Sequence, residues 1–261
     1  MAAQWYRAAA EAGNAPGMRN LGIMYEQGRG VAQSDTEAVR WYRAAAEAGD
    51  ATAMTRLANM HAQRRGGAGL YSTREAVRWY RAAAEAGDPE GMYFFGRRYA
   101  GWSGGVAQSD HEAVRWMRAA ADAGEARAMY ELGNWYFSGV LGLAQDDNEA
   151  FRWHLAAAEA GDAGGMASLV LAYNDGRVVV QDPSRAAGWF LATAAGEEIR
   201  DDPDDSLEYL GQRFILSSFI SLETIEAVHR LLRDAGHYHG ALDASWGPAS
   251  EAALDAYVME R

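Results

Sequence analysis

The 261-residue chain contains no cysteine and no lysine. The first absence excludes disulfides, thiol catalysis and cysteine metal sites, and it leaves the redox compartment unmarked. The second excludes a P-loop lysine, a Schiff-base lysine and a Ser–Lys dyad. All 24 basic residues are arginine. No apolar run approaches the ~18 residues that a membrane-spanning helix needs. The first residues, Met1 to Arg7, lack the pattern of a secretory signal. A net charge of −12 disfavours a basic face for nucleic acid. The hydrophobic fraction of 49% argues against wholesale disorder. At ~150 residues per domain the length admits one or two domains. What is present in excess is alanine, about a fifth of the chain, and tryptophan, with nine residues.

Repetition accounts for both. Trp5, Trp41, Trp79, Trp116, Trp153 and Trp189 recur at steps of 36, 38, 37, 37 and 36. Each precedes an alanine run closed by a glycine: Gly13, Gly49, Gly87, Gly124, Gly161 and Gly196. A fixed period in this range signals stacked helix pairs. In the first helix of each pair, Met18, Leu21, Gly22 and Tyr25 lie on one face. The same register holds Met54, Leu57, Ala58 and His61, then Met92, Phe95, Gly96 and Tyr99, then Met129, Leu132, Gly133 and Tyr136, then Met166, Leu169, Val170 and Tyr173. A small residue precedes every Met, which predicts close helix approach. The second helix starts at a capping box, as in Ser34 with Glu37, Ser72 with Glu75, Ser109 with Glu112 and Asp146 with Glu149. The fifth start pairs Asp182 with Pro183. The even recurrence of Trp and Met assigns them to the core rather than to a local site.

Residues Met18 to Val31 followed by Ala38 to Ala45 resemble the Sel-one-like repeat, a relative of the tetratricopeptide repeat. The resemblance covers residues 2 to about 196 and departs at His61 and at the loop around Arg64-Arg65-Gly66-Gly67. It implies an all-α fold, a right-handed α/α solenoid that binds proteins. We therefore divide the chain into three parts. Residues 1–196 form the solenoid, with one leading half repeat and five repeats. Residues 197–220 form an acidic linker and a degenerate capping helix over Ser206–Phe219. Residues 221–261 break the period. Beginning inside a second helix, the chain is expected to be a piece of a longer protein.

The last part is similar to the small helical peptidoglycan-binding domain of bacterial wall enzymes. Val228, Gly236, Tyr238, Gly240, Asp243, Trp246, Gly247, Ser250, Leu254 and Tyr257 occupy matching places, while Ala244 and Val258 depart. The resemblance implies Tyr238, Asp243 and Trp246 as glycan contacts. The two resemblances together match the periplasmic part of bacterial polarity and localisation factors. They imply a periplasmic or envelope location if a signal or anchor lies upstream, and a cytoplasmic one otherwise.

Little here points to catalysis. Gly101-Trp102-Ser103-Gly104-Gly105 fits G-x-S-x-G, but it falls in a loop between repeat helices where no strand precedes the serine. His237 and His239 flank Tyr238 near Asp243; a metal site needs three or four ligands with supporting contacts, and these residues are read as a turn filled by polar rings. His61, on the core stripe, reads as a hydrogen-bonded structural residue. We expect no enzyme, cofactor or metal. The positions two, five and six after each stripe Met should instead face a groove. They are Asn20, Ile23, Met24; Arg56, Asn59, Met60; Phe94, Arg97, Arg98; Glu131, Asn134, Trp135; Ser168, Leu171, Ala172. Arg and Trp are enriched in binding hot spots. The candidates are therefore Arg56, Asn59, Phe94, Arg97, Arg98, Trp102, Glu131, Asn134 and Trp135. The arginines point to an acidic peptide, and Trp102 and Trp135 are read as exposed. The function expected is a non-enzymatic scaffold of the cell envelope that binds a protein partner, with peptidoglycan contact through the tail. The alternatives are a peptidoglycan-binding module with the repeats as spacer, and a cytoplasmic adaptor with a structural tail.

Overall fold

The alanine runs, caps and glycines set out above become helix pairs in a computed structural model. It describes residues 2–66, 72–101, 106–197, 220–242 and 245–260. Thirteen helices are present and no strand occurs among the described residues. They are α1 (Ala2–Glu11), α2 (Ala15–Gln27), α3 (Asp35–Glu47), α4 (Ala51–Ala62), α5 (Ser72–Glu85), α6 (Pro89–Tyr99), α7 (Asp110–Asp122), α8 (Ala126–Ser138), α9 (Asp147–Glu159), α10 (Ala163–Asp175), α11 (Pro183–Glu197), α12 (Leu222–Asp234) and α13 (Pro248–Met259). Residues 1–128 and 129–261 form two compact units.

First helices begin where the glycine that closes the previous helix is followed by a short polar residue. Asn14, Asp50, Asp88 and Asp162 accept from the backbone N–H groups of Gly17, Ala53, Gly91 and Gly165 at 2.8–2.9 Å. This satisfies one of the four free donors at a helix start. Gly13, Gly49, Gly87, Gly124 and Gly161 take φ of 83–93°, the left-handed turn that ends a helix. Gly196 lies inside α11 instead of closing it.

Second helices start differently from the expected reciprocal box. Ser34, Ser109 and Asp146 do cap Glu37, Glu112 and Glu149 at 3.1–3.3 Å. The return bond from Glu is pre-empted. The cap N–H of Ser34, Ser109, Asp146 and Asp182 already donates to the carbonyl of the stripe tyrosine, Tyr25, Tyr99, Tyr136 or Tyr173, at 2.9–3.0 Å. Each N3 Glu pairs one turn on with Arg40, Arg78, Arg115 or Arg152. Three of those arginines, Arg40, Arg78 and Arg115, lie over the next residue, the repeated Trp, at 4.6–5.4 Å from the ring. Exposed pairs of this kind contribute ~0–1 kcal/mol each. The helix-to-helix bond from cap to tyrosine carbonyl is the better-protected link.

Packing between one pair and the next depends on small residues. A Cβ on Gly17 would sit 2.7 Å from Ala9 Cβ, and one on Gly91 would sit 2.5 Å from Ala83 Cβ. Alanine-rich second helices thus let glycine-bearing first helices approach to backbone contact. Among the described residues of the first unit, a core cluster runs from Ala38 to Phe95. The repeated Trp79 is buried in it, whereas Trp5 on α1 is 75% exposed, contrary to the uniform core assignment. His61 is buried, but its Nε2 has no hydrogen-bond partner among the described residues.

In the second unit, the last repeat pair and the tail share one core. Val170, Ala187, Phe190, Leu191 and Ala194 cluster with Ile220, Ile225, Val228, Leu232, Tyr238, Leu254 and Val258. Asn174 Oδ1 accepts from the Ser221 N–H at 2.6 Å and from the buried Thr224 hydroxyl at 3.1 Å, which pins the start of α12 to α10. The tail therefore covers the apolar end of the last pair, as terminal units of repeat proteins do. The expected helix over Ser206–Phe219 lies outside the described residues. Because the core is shared, Leu254→Ala should cost about 2–5 kcal/mol. It should lower a single denaturant transition of the second unit; a tail that unfolds separately, leaving α8–α11 unchanged, would contradict this.

Candidate functional site

The groove residues of the first unit fold onto one another. Asn59 Oδ1 accepts from the Tyr80 hydroxyl at 2.6 Å, and burial pushes that phenol up to about 12. Phe94 stacks on Tyr80 at 5.1 Å and meets Tyr93 edge-on at 5.1 Å. Arg97 donates to the Tyr93 hydroxyl at 3.1 Å. Arg98 is only 9% exposed and lies 5.4 Å from the Tyr80 ring. Arg56 approaches Glu26 at 3.9 Å, and Glu26 also receives Arg65 at 3.0 Å and the Tyr42 hydroxyl at 2.5 Å. These arginines were expected to offer free charge to an acidic peptide. In the structure Glu26 and the Tyr93 and Tyr80 rings of the same unit lie against Arg56, Arg97 and Arg98, and Arg98 is buried.

The second unit differs. Trp135, expected to be exposed, is 6% exposed and part of the core. Glu131 and Asn134 are half-buried. Trp102 and Asp243 lie outside the described residues. Tyr238 is buried, stacked on His229 at 4.2 Å, and donates to the Ala241 carbonyl at 2.9 Å. Trp246 meets Phe190 of α11 edge-on at 5.3 Å, and its indole N–H donates to Glu251. The two tail rings read as glycan contacts are thus occupied in packing the tail against the last repeat.

A cavity of about 310 Å³ opens among α8, α9, α10 and the segment after α10. Phe137, Phe151, Leu171 and Val178 give it apolar walls, and Asn134, His154 and Ser168 add polar groups. Asp147, Asp175 and Arg177 also line it. Asn134, Ser168, Leu171 and Ala172 are groove positions; His154 sits one residue after the repeated Trp. The corresponding residues at α4–α6 are Asn59, Phe94, Arg97, Arg98 and Tyr80. Histidine in place of tyrosine, serine in place of phenylalanine and alanine in place of arginine leave the space that the first unit fills. The signal in the sequence was small residues at groove register. Residue chemistry alone, which favours Arg and Trp, does not show it.

His154 keeps the local geometry of its tyrosine counterpart. Its Nε2 lies 3.2 Å from Asn134 Oδ1, the placement the Tyr80 hydroxyl has on Asn59. Its ring passes over Gly133, where a Cβ would meet Cδ2 at 2.2 Å. Burial lowers the His154 pKa to about 4, so the imidazole is neutral at neutral pH. Asp147 Oδ2 accepts from Arg177 at 2.9 Å. Asp147 Oδ1 is buried with no hydrogen-bond partner among the described residues. No group of metal-ligating residues occurs among the described residues.

The fold just described is an all-α helical-repeat solenoid. The Sel1 repeat family matches residues 1–14, 15–50, 51–88, 89–125, 126–162 and 165–196, and the chain belongs to that family. Among curated proteins none matches the chain. Two solved structures show the same fold. One is a Sel1 repeat protein from Oxalobacter formigenes, 24% identical, with a TM-score of 0.63 over 81% of this chain and 96% of that one. The other is a protective antigen of uropathogenic Escherichia coli with an SLR fold, 25% identical, with a TM-score of 0.65 over 98% of this chain. This chain spans 56% of the antigen's length. Sel1 repeat proteins generally act as protein-interaction scaffolds and are generally non-enzymatic. The family match ends at residue 196. These comparisons lend no support to a peptidoglycan-binding domain in the tail or to a polarity factor.

The depressed His154 pKa makes stability depend on pH. Between about 4 and 6.5 the unfolded chain binds this proton and the folded chain does not, so its contribution is complete above 6.5 and lost as pH falls toward 4. Between pH 7 and pH 5 the loss should be about 2 kcal/mol. The unfolding free energy of wild type minus that of His154→Tyr should be larger by that amount at pH 7 than at pH 5; parallel pH profiles would contradict it.

Proposed function

We propose that the chain is a non-enzymatic protein-binding scaffold whose α8–α10 cavity seats a side chain of the partner. The observation that carries this reading is the cavity itself. It occupies groove positions, its volume of about 310 Å³ suits a large side chain, and it combines apolar walls with a few oriented polar groups. Interfaces draw most of their energy from a few anchors buried in such pockets. Exposed Phe137, Val140 and Leu171 supply further apolar surface along α8, α10 and the loop after α8. His154, neutral with a pKa near 4, is a poor general base at neutral pH, which favours binding over catalysis.

A photocrosslinking residue in place of Leu171 should give a defined adduct with one partner in cells. The adduct should fall at least ~tenfold in Ser168→Phe, which restores the bulk that Phe94 provides in the first unit. An undiminished adduct in a folded Ser168→Phe variant would contradict the reading.

Placement at the cell envelope, with residues 221–261 in contact with peptidoglycan, is a finer proposal that rests on the tail's sequence pattern. The packing of Tyr238 and Trp246 favours the alternative of a structural tail. Co-sedimentation of the whole chain with purified sacculi would support wall contact, and retention in the supernatant would exclude it.

A further inference from the structure

Charge is divided unevenly along the chain. Residues 129–261 carry 22 acidic and 8 basic side chains, whereas residues 1–128 carry 14 and 16. The net charge of −12 is therefore a property of the second unit, and the cavity lies wholly within that unit. Its own lining agrees in sign. Asp147 and Asp175 face a single cation, Arg177, which is engaged with Asp147 at 2.9 Å and lies over Phe137 at 5.9 Å. His154 adds no positive charge at neutral pH. A partner presenting a carboxylate here would meet Asp175 and the field of the whole unit; a partner presenting a cation would be drawn to both.

We infer that the occupant of the cavity is a large apolar side chain carried on a basic peptide segment, an aromatic residue with an arginine beside it. This rests on the docking reading above and specifies its partner. The ring would fill the space between Phe137, Phe151 and Leu171, where the first unit places its own Phe94. The guanidinium would pair with the exposed Asp175 at the mouth, a geometry that arginine supplies in bidentate form. The charge sought here is opposite to that of the acidic peptide expected at the first-unit arginines, because this cavity lies in the acidic unit.

The test is isothermal titration of the whole chain with three capped hexapeptides that differ only at the two central residues: Phe-Arg, Phe-Glu and Gly-Arg. Phe-Arg should bind at least ~tenfold more tightly than either of the others. Raising salt from ~0.05 to ~0.5 M should erase most of the Phe-Arg over Phe-Glu preference, because the Debye length shrinks severalfold. Asp175→Asn should reduce that preference without abolishing binding. His154→Tyr and Ser168→Phe, each checked for wild-type helicity, should abolish binding by filling the space. Equal binding of Phe-Arg and Phe-Glu overturns the basic specification while leaving the docking reading intact. Equal binding of Phe-Arg and Gly-Arg overturns the aromatic anchor. Absence of titration by all three overturns the inference, and the Leu171 crosslink then reports separately on the docking reading. Undiminished Phe-Arg binding in both filled variants removes the site altogether.

Discussion

The pairs α2–α3 and α8–α9 depend on a ring from the second helix passing over a glycine of the first. Tyr42 crosses Gly22 so closely that a Cβ there would lie 2.6 Å from its ring, and His154 crosses Gly133 more closely still. Alanine and glycine bring each pair close to the next. The cap-to-tyrosine carbonyl bonds then fix the height of one helix against the next. Because the ring's far edge reaches the groove, its identity decides what the groove surface is. A tyrosine puts a hydroxyl on Asn59 and closes the wall; a histidine at the same place reaches Asn134 and stops short of closing it.

That coupling explains why two units built from the same repeat present different surfaces. Around Tyr80, three large side chains stack into a self-satisfied cluster of aromatic and guanidinium groups. Around His154, serine and alanine leave the apolar walls of Phe137, Phe151 and Leu171 facing open space. Functional difference in a repeat array thus arises without any change of backbone plan, through the sizes of three residues that the periodic core does not constrain. The acidic excess of residues 129–261 acts on that opening from a distance, selecting among partners by charge while the walls select by shape.

The helix pairs were legible because periodicity in Trp, Met, alanine runs and closing glycines is enforced by packing that recurs in every unit. The first-helix caps at Asn14, Asp50, Asp88 and Asp162 are written in the sequence as a polar residue after each closing glycine. The site was legible only in part. Register placed Asn134, Ser168, Leu171 and Ala172 in the groove, yet residue chemistry favoured Arg98 and Trp135, which the fold buries. Register gives the direction of a residue and says nothing of what a neighbour does to it; the stacking of Arg98 on Tyr80 is a pairwise contact between helices. The joining of the tail to the last pair was hidden for the same reason, since Phe190 and Trp246 are distant in sequence and meet only in the folded unit.

Histidine, serine and alanine at 154, 168 and 172 leave a ligand-sized, largely apolar space where the first unit carries Tyr80, Phe94 and Arg98. The most direct measurement is a crystal of the wild-type chain soaked with a small aromatic probe such as indole. Ordered density is expected between Phe151 and Leu171, in van der Waals contact with the His154 ring, and none beside Tyr80 and Phe94. Density beside Tyr80 and Phe94 with none against His154 would contradict it.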